Sequence, residues 1–313
     1  MPFIGELRKY RSVSIVGLAK NAGKTACLNY IIKRLPLDGR TVAVTSIGID
    51  GETTDQVTST AKPEITVREG MFYATSEKHF RGKRPLSELY AVSEESTALG
   101  RVVTAKALTD GTVLLSGPSS SAALKRWMRS LKNFGIDLIL VDGALSRLSS
   151  ASPAVSEAMI LSTGAAYSAN IRELVSKTAF VVELVGLPLY AGPQPQMCVS
   201  SFSALDAELL QKHAVVEVEG ALTDRLLQTA WAAGEIELVA GDFTKVFVSP
   251  ELYRTFVRRG GRISVRRKSK LIAVCVNPVA PSGIVLDSDI LCRELEGRIG
   301  LPVYDIVKNE YAI

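Results

Sequence analysis

Short runs apolar on both faces alternate with stretches of helical period along most of the chain. The first is "SVSIVG" (12–17), followed by a helical pattern over 24–35 and then "TVAVTSIGI" (41–49). Further on come "TVLLSG" (112–117), the amphipathic "SSSAALKRWMRSLKNFG" (119–135) and "IDLILVDGA" (136–144), each strand ending in glycine or a small residue. Strands without a polar face, separated by helices, are what a mostly parallel sheet covered on both sides requires. The pattern predicts an α/β chain with a doubly wound sheet. Between 50 and 75 it loosens into a polar, Thr-rich loop and two short strands.

After residue 190, "YAGPQPQM" brings Gly192, Pro193 and Pro195 together, and a boundary is expected there. The alternation then resumes with "AVVEVEG", a helix through "ALTDRLLQTAWAAG", "IELVAG", a helix from "SPELYRTFVRRGG", "LIAVCVNP", "DSDILCRELEGRIG" and "PVYDIV". The expected division is therefore 1–190 and 191–313. The second part is either a small α/β domain or the remaining strands of the same sheet, and spacing does not choose between them.

Composition adds limits. The chain has 313 residues, 47% apolar and 22% charged, which is globular in character, and its net charge of +5 argues only weakly for anionic partners. Cys27, Cys198, Cys275 and Cys292 form no CxxC pair, and His79 and His213 are the only histidines, so neither a zinc knuckle nor a redox dithiol is suggested. Without a long apolar span or a leader-like amino terminus, the sequence reads as soluble and cytoplasmic, with no membrane partner.

The candidate chemistry begins at "GLAKNAGKT" (17–25), between the first strand and the first long helix. A phosphate loop of the form GxxxxGK[ST] needs that strand and that helix, because the loop amides and the helix's positive end together hold the anion. Gly23, Lys24 and Thr25 match its second half; the first glycine stands at 17 rather than 18, where Leu18 is found. In this reading Lys24 reaches the β- and γ-phosphates, Thr25 ligates Mg²⁺, and the backbone from Asn21 through Ala22 and Gly23 to Thr25 forms the cradle. Lys20 is a second loop cation. It is either a charge with no catalytic part or the counterpart of the extra lysine in dimerising P-loop ATPases, which acts across a homodimer but stands five residues before the phosphate lysine, not four.

Asp142 ends the apolar run "LILVD" and is placed to hold Mg²⁺ at the carboxyl end of a buried strand. Asp50, with Glu52 behind it, stands just beyond the strand that follows the first long helix and is a candidate metal ligand or orienter of attacking water; a solvated turn acid is the alternative. Asn277 in "VNPVAP" is expected either to read the nucleotide base or to shape a turn. Ser119, Ser120 or Ser121 caps a helix or holds a second anion. The run 258–270 holds seven basic residues without interleaved aromatics, which points to a solvated or docking face rather than nucleic acid.

Taken together, "GLAKNAGKT", "SIGIDGETTDQV", "LSGPSSSAALKR", "LVDGALSRLSSASPAVSEAMILSTGAA" and "VNPVAP" resemble the ATPase subunit of lysine 5,6-aminomutase reactivases. That resemblance implies an ATP- and Mg²⁺-dependent chaperone-like P-loop ATPase. It would drive damaged cobalamin out of an adenosylcobalamin-dependent aminomutase and act with a second reactivase subunit. By motif position Gly23, Lys24, Thr25 and Asp142 carry over as nucleotide and metal residues. A small-molecule kinase or ATP-dependent ligase on the same fold is the competing expectation. No NKxD guanine-reading motif is present, which favours ATP.

Overall fold

The computed structural model describes residues 2–47, 64–82, 84–97, 99–144, 152, 155–195, 197–200, 210, 212–232 and 234–308. The chain divides into two compact units. The larger comprises Met1–Ala151, Val155–Val175 and Leu271–Ile313, and the smaller Ser152–Ala154 and Ser176–Lys270.

In the larger unit, α1 (Phe3–Leu7), β1 (Ser12–Gly17), α2 (Lys24–Arg34) and β2 (Val42–Ser46) are followed by β3 (Ile65–Val67), β4 (Phe72–Ser76) and α3 (Glu77–Arg81). Then come β5 (Ser87–Thr97), β6 (Gly100–Ala107), β7 (Gly111–Val113), α4 (Ser121–Ser130), β8 (Leu138–Ala144), β9 (Ala158–Gly164) and α5 (Ile171–Val185), the unit boundary falling inside α5. In the smaller unit lie β10 (Met197–Ser200), β11 (Val215–Glu219), β12 (Leu222–Thr223), α6 (Asp224–Ala232), β13 (Glu237–Ala240), β14 (Val246–Phe247), α7 (Pro250–Arg258) and β15 (Arg262–Val265). The chain ends with β16 (Lys270–Asn277), α8 (Ser288–Ile299) and β17 (Val303–Asp305).

Nine strands form one mostly parallel sheet in the order β17-β16-β9-β1-β8-β2-β4-β6-β5. β1 lies between β8 and β9 and is parallel to both, while β6 is antiparallel to β4 and β5. Its strands are apolar on both faces because both faces are covered. Val42, Val44, Leu138 and Leu140 pack with Leu28, Ile31 and Ile32 of α2, whereas their neighbours Ala43, Ile139 and Val141 pack with Leu124 and Trp127 of α4. Each fully buried large aliphatic side chain contributes about 1.5–3 kcal/mol, so both layers are firmly seated.

The expected boundary at 190 is corrected by this division. β16 and β17 return to the large sheet, and the separate unit runs from Ser176 to Lys270 with its own parallel sheet, β10-β11-β13-β15. That sheet buries Val216, Val218, Leu238 and Ile263 against Leu226, Leu227 and Phe256. The run at 112–117 also departs from expectation. Only Gly111–Val113 is a strand, paired antiparallel with β3; the following segment is held by separate bonds, Thr75 Oγ1 to Leu114 O, the Ser116 N–H to Ala74 O and the Gly117 N–H to Ser46 Oγ, instead of a continuous ladder.

Among the described residues no helix is long and apolar enough to cross a membrane.

Candidate functional site at the carboxyl ends of the central strands

β1 leads through α2 to β2 on one side of the sheet, while β8 leads to β9 on the other. The strand order therefore reverses beside β1, and in open α/β sheets such a reversal leaves a crevice at the carboxyl ends of the strands. The segment 18–23 lies at that end of β1.

Its curl is set by two residues with left-handed backbone, Asn21 (φ 61°) and Gly23 (φ 91°). Glycine adopts that region freely, and asparagine is one of the few other residues that tolerates it. Gly23 precedes α2 as its N-cap and offers no side-chain cap, and the first turn has no acidic residue. By contrast α3, α4 and α8 are capped by Ser76, Ser120 and Asp287. Ser120 is thus a cap, as one of the two expectations for that serine run had it. The leading amides of α2 and the positive end of its dipole suit an anion.

The early glycine has a spatial explanation. A Cβ on Gly17 would stand 2.5 Å from Lys24 Cγ and 2.8 Å from its Cδ, so the lysine stem crosses the α-carbon of residue 17. Lys24 Nζ then lies 4.0 Å from Asp142 Oδ1, with the two side chains 22% and 21% exposed. Asp142 is in register with Ile15 of β1 on one side and Ser46 of β2 on the other. Thr25 follows Lys24 in the first turn of α2 and is half-buried. Lys20 is exposed at the tip of the loop.

Neighbouring strand ends close around this centre. Ser162, at the end of β9, donates its hydroxyl to Ala22 O at 2.7 Å and accepts the Leu18 N–H on its carbonyl at 2.8 Å. A Cβ on Gly23 would come within 2.8 Å of Asn277 Cβ, so the asparagine at the end of β16 abuts the base of the loop. Its Oδ1 accepts the Val279 N–H at 3.1 Å and shapes the turn that follows. On the other flank, Gly117 donates its N–H to Ser46 Oγ at 3.1 Å, and Ser116 Oγ lies 2.8 Å from Nδ1 of the buried His79.

The structure therefore brings Lys20, Asn21, Ala22, Gly23, Lys24, Thr25, Asp142 and Asn277 to one end of the sheet. Asp50 and Glu52 lie outside the described residues. Ser162 is a site residue that motif reading does not reveal; its only signal is the apolar run "AMIL" ending in Ser-Thr-Gly. Among the described residues no three His, Cys, Asp or Glu side chains cluster so as to hold a metal. A Mg²⁺ ion held by Thr25 and Asp142 would need phosphate oxygens and water to complete its shell. The space beside Gly17 and Gly23 is taken up by Lys24 and Asn277.

The basic run dissolves into separate roles. Arg266 grips Glu217, Arg267 lies 3.8 Å from the buried Asp242, Arg259 stacks over Trp231, and Lys268 donates to Gly186 O. Cys27 and Cys275 are buried against each other, whereas Cys198 is exposed.

No protein-family model, no curated protein and no solved structure matches the chain.

Proposed function

We propose that the chain is a Mg²⁺-dependent ATPase of the P-loop type, with its nucleotide on the loop 17–25. The observation that carries this is the approach of Lys24 to Asp142 at the head of α2. A cation and an acid from different elements meet there, beside uncapped helix amides and at the sheet's point of reversal. A surface turn with a coincidental GKT has no reason to gather those parts.

Bound Mg²⁺–ATP supplies the phosphoryl group and the metal charge that offsets its oxygens. In this reading Lys24 leaves Asp142 for the phosphates, and the amides from Asn21 to Thr25 would donate to phosphate oxygens, except that of Ala22, which Ala19 O holds at 3.3 Å. The Thr25 hydroxyl and the Asp142 carboxylate would hold the metal, Asn277 would border the base, and Lys20 would add positive charge from the exposed loop tip. Asp50 would either assist in holding the metal or orient the attacking water. The resemblance to reactivase ATPases extends the proposal: hydrolysis drives damaged cobalamin from an adenosylcobalamin-dependent aminomutase, together with a second subunit.

Calorimetric titration with ATP, with and without Mg²⁺, tests the site. Wild type binds, Lys24→Ala weakens binding about 100-fold or more through loss of a charge-assisted contact, and Asp142→Asn loses the gain from Mg²⁺. Equal affinity for wild type and Lys24→Ala defeats the proposal. Hydrolysis that rises on adding the aminomutase supports the reactivase part; phosphorylation of a small molecule in its place favours a kinase.

A further inference from the structure

We infer that Ser162 is a positioning residue for the nucleotide, acting by fixing the orientation of the peptide between Ala22 and Gly23; the inference rests on the nucleotide site proposed above. Ser162 is fully buried, at the carboxyl end of β9, a strand outside both halves of the recognised motif. One residue grips the loop twice. Its carbonyl holds the N–H of Leu18, where the loop begins, and its hydroxyl holds the C=O of Ala22, four residues later.

The second bond matters most for ligand binding. A peptide unit is planar and trans, so its C=O and N–H point in opposite directions. With the Ala22 carbonyl drawn onto Ser162, the Gly23 N–H points away from β9. Gly23 has the freedom to let this peptide turn over, since its φ of 91° lies in a region where glycine meets no Cβ penalty. Without the hydroxyl the carbonyl loses its buried partner, and the peptide gains a reason to rotate toward one. An amide needed by an anion is then no longer pre-set. Ser162 touches no ligand atom in this account; it removes the need to order the loop when the ligand arrives.

The test compares Ser162→Ala, Ser162→Thr and Ser14→Ala in the full chain. Ser14 is the control: it is equally buried in β1, and its hydroxyl bonds Ser156 Oγ at 2.8 Å. Thermal melting without nucleotide, Mg²⁺–ATP titration and steady-state ATP hydrolysis are measured on each. Ser162→Ala is expected to bind about tenfold more weakly, the loss appearing in Kd and KM more than in kcat, while Ser14→Ala melts lower yet binds like wild type. Restoration of binding by Ser162→Thr, which keeps a hydroxyl, supports the hydrogen bond as the cause. If Ser162→Ala binds like wild type, or if Ser14→Ala weakens binding as much, the inference is overturned. Absence of binding by wild type overturns the proposed function, and this inference with it.

Discussion

Two glycines show how single positions are constrained by different neighbours. At Gly17 the obstacle to a side chain is the stem of Lys24, which is flexible and can move aside. At Gly164 the obstacle is main chain: an added Cβ would stand 1.9 Å from Asn277 O, beside the bond that the same oxygen accepts from the Ala165 N–H. Gly17→Ala is therefore expected to leave melting almost unchanged and to weaken ATP binding about tenfold by displacing Lys24, as read by titration. Gly164→Ala should instead cost about 1–3 kcal/mol of stability, measured by urea unfolding, because backbone must shift to admit it. The motif alone treats glycine 17 as one residue out of place. The lysine lying across it explains why glycine is useful there, and only coordinates carry that information.

At the level of elements, β2, β8 and β16 were legible because each carries an apolar run ending at a small or turn residue, and β1 because its apolar residues are broken only by the small Ser14. The β5–β6 hairpin was not: "SELYAVSEEST" mixes glutamate and serine among its apolar residues, and its ladder is broken by register shifts near Tyr90 and between Val92 and Ser96. The same holds for the links between strands. Arg266, just after β15, forms a two-pronged bond with Glu217 of β11 at 2.9 and 2.7 Å, spanning the intervening β13. A basic run in sequence gives no hint that one member is committed in this way. Hydrogen bonding from Arg266 holds the Glu217 carboxyl below the usual glutamate range. A carboxyl whose pKa is depressed by folding stabilises the fold above its unfolded value, and that contribution is lost as pH falls through the folded value. Glu217→Gln should thus cost about 1 kcal/mol near pH 7, where the pair is partly screened by solvent. The gap between wild type and variant should close in acid, below the ordinary glutamate range. Urea unfolding of both proteins across that range is the measurement; a gap that persists in acid would mean that the side chain acts by packing rather than by charge.

For the whole molecule, the boundary was hidden because an inserted unit and a continuing sheet look alike along a chain of alternating strands and helices. β16 reads as the next strand after β15, yet it belongs to the other unit. Each unit has its own buried apolar cluster, centred on α2 and β1 in one and on α6, α7 and β13 in the other. A separate core is the usual condition for separate cooperative unfolding, so scanning calorimetry should resolve two transitions. The loop 17–25, Asp142, Ser162 and Asn277 all fall in the larger unit. Ligand that binds only a folded state raises the stability of that state by about 2.7 kcal/mol at a free concentration 100 times Kd. Mg²⁺–ATP should accordingly raise one transition and leave the other in place, while Glu217→Gln should lower only the one that ATP does not move. A single transition that nucleotide raises as a whole would instead show that the two units unfold as one.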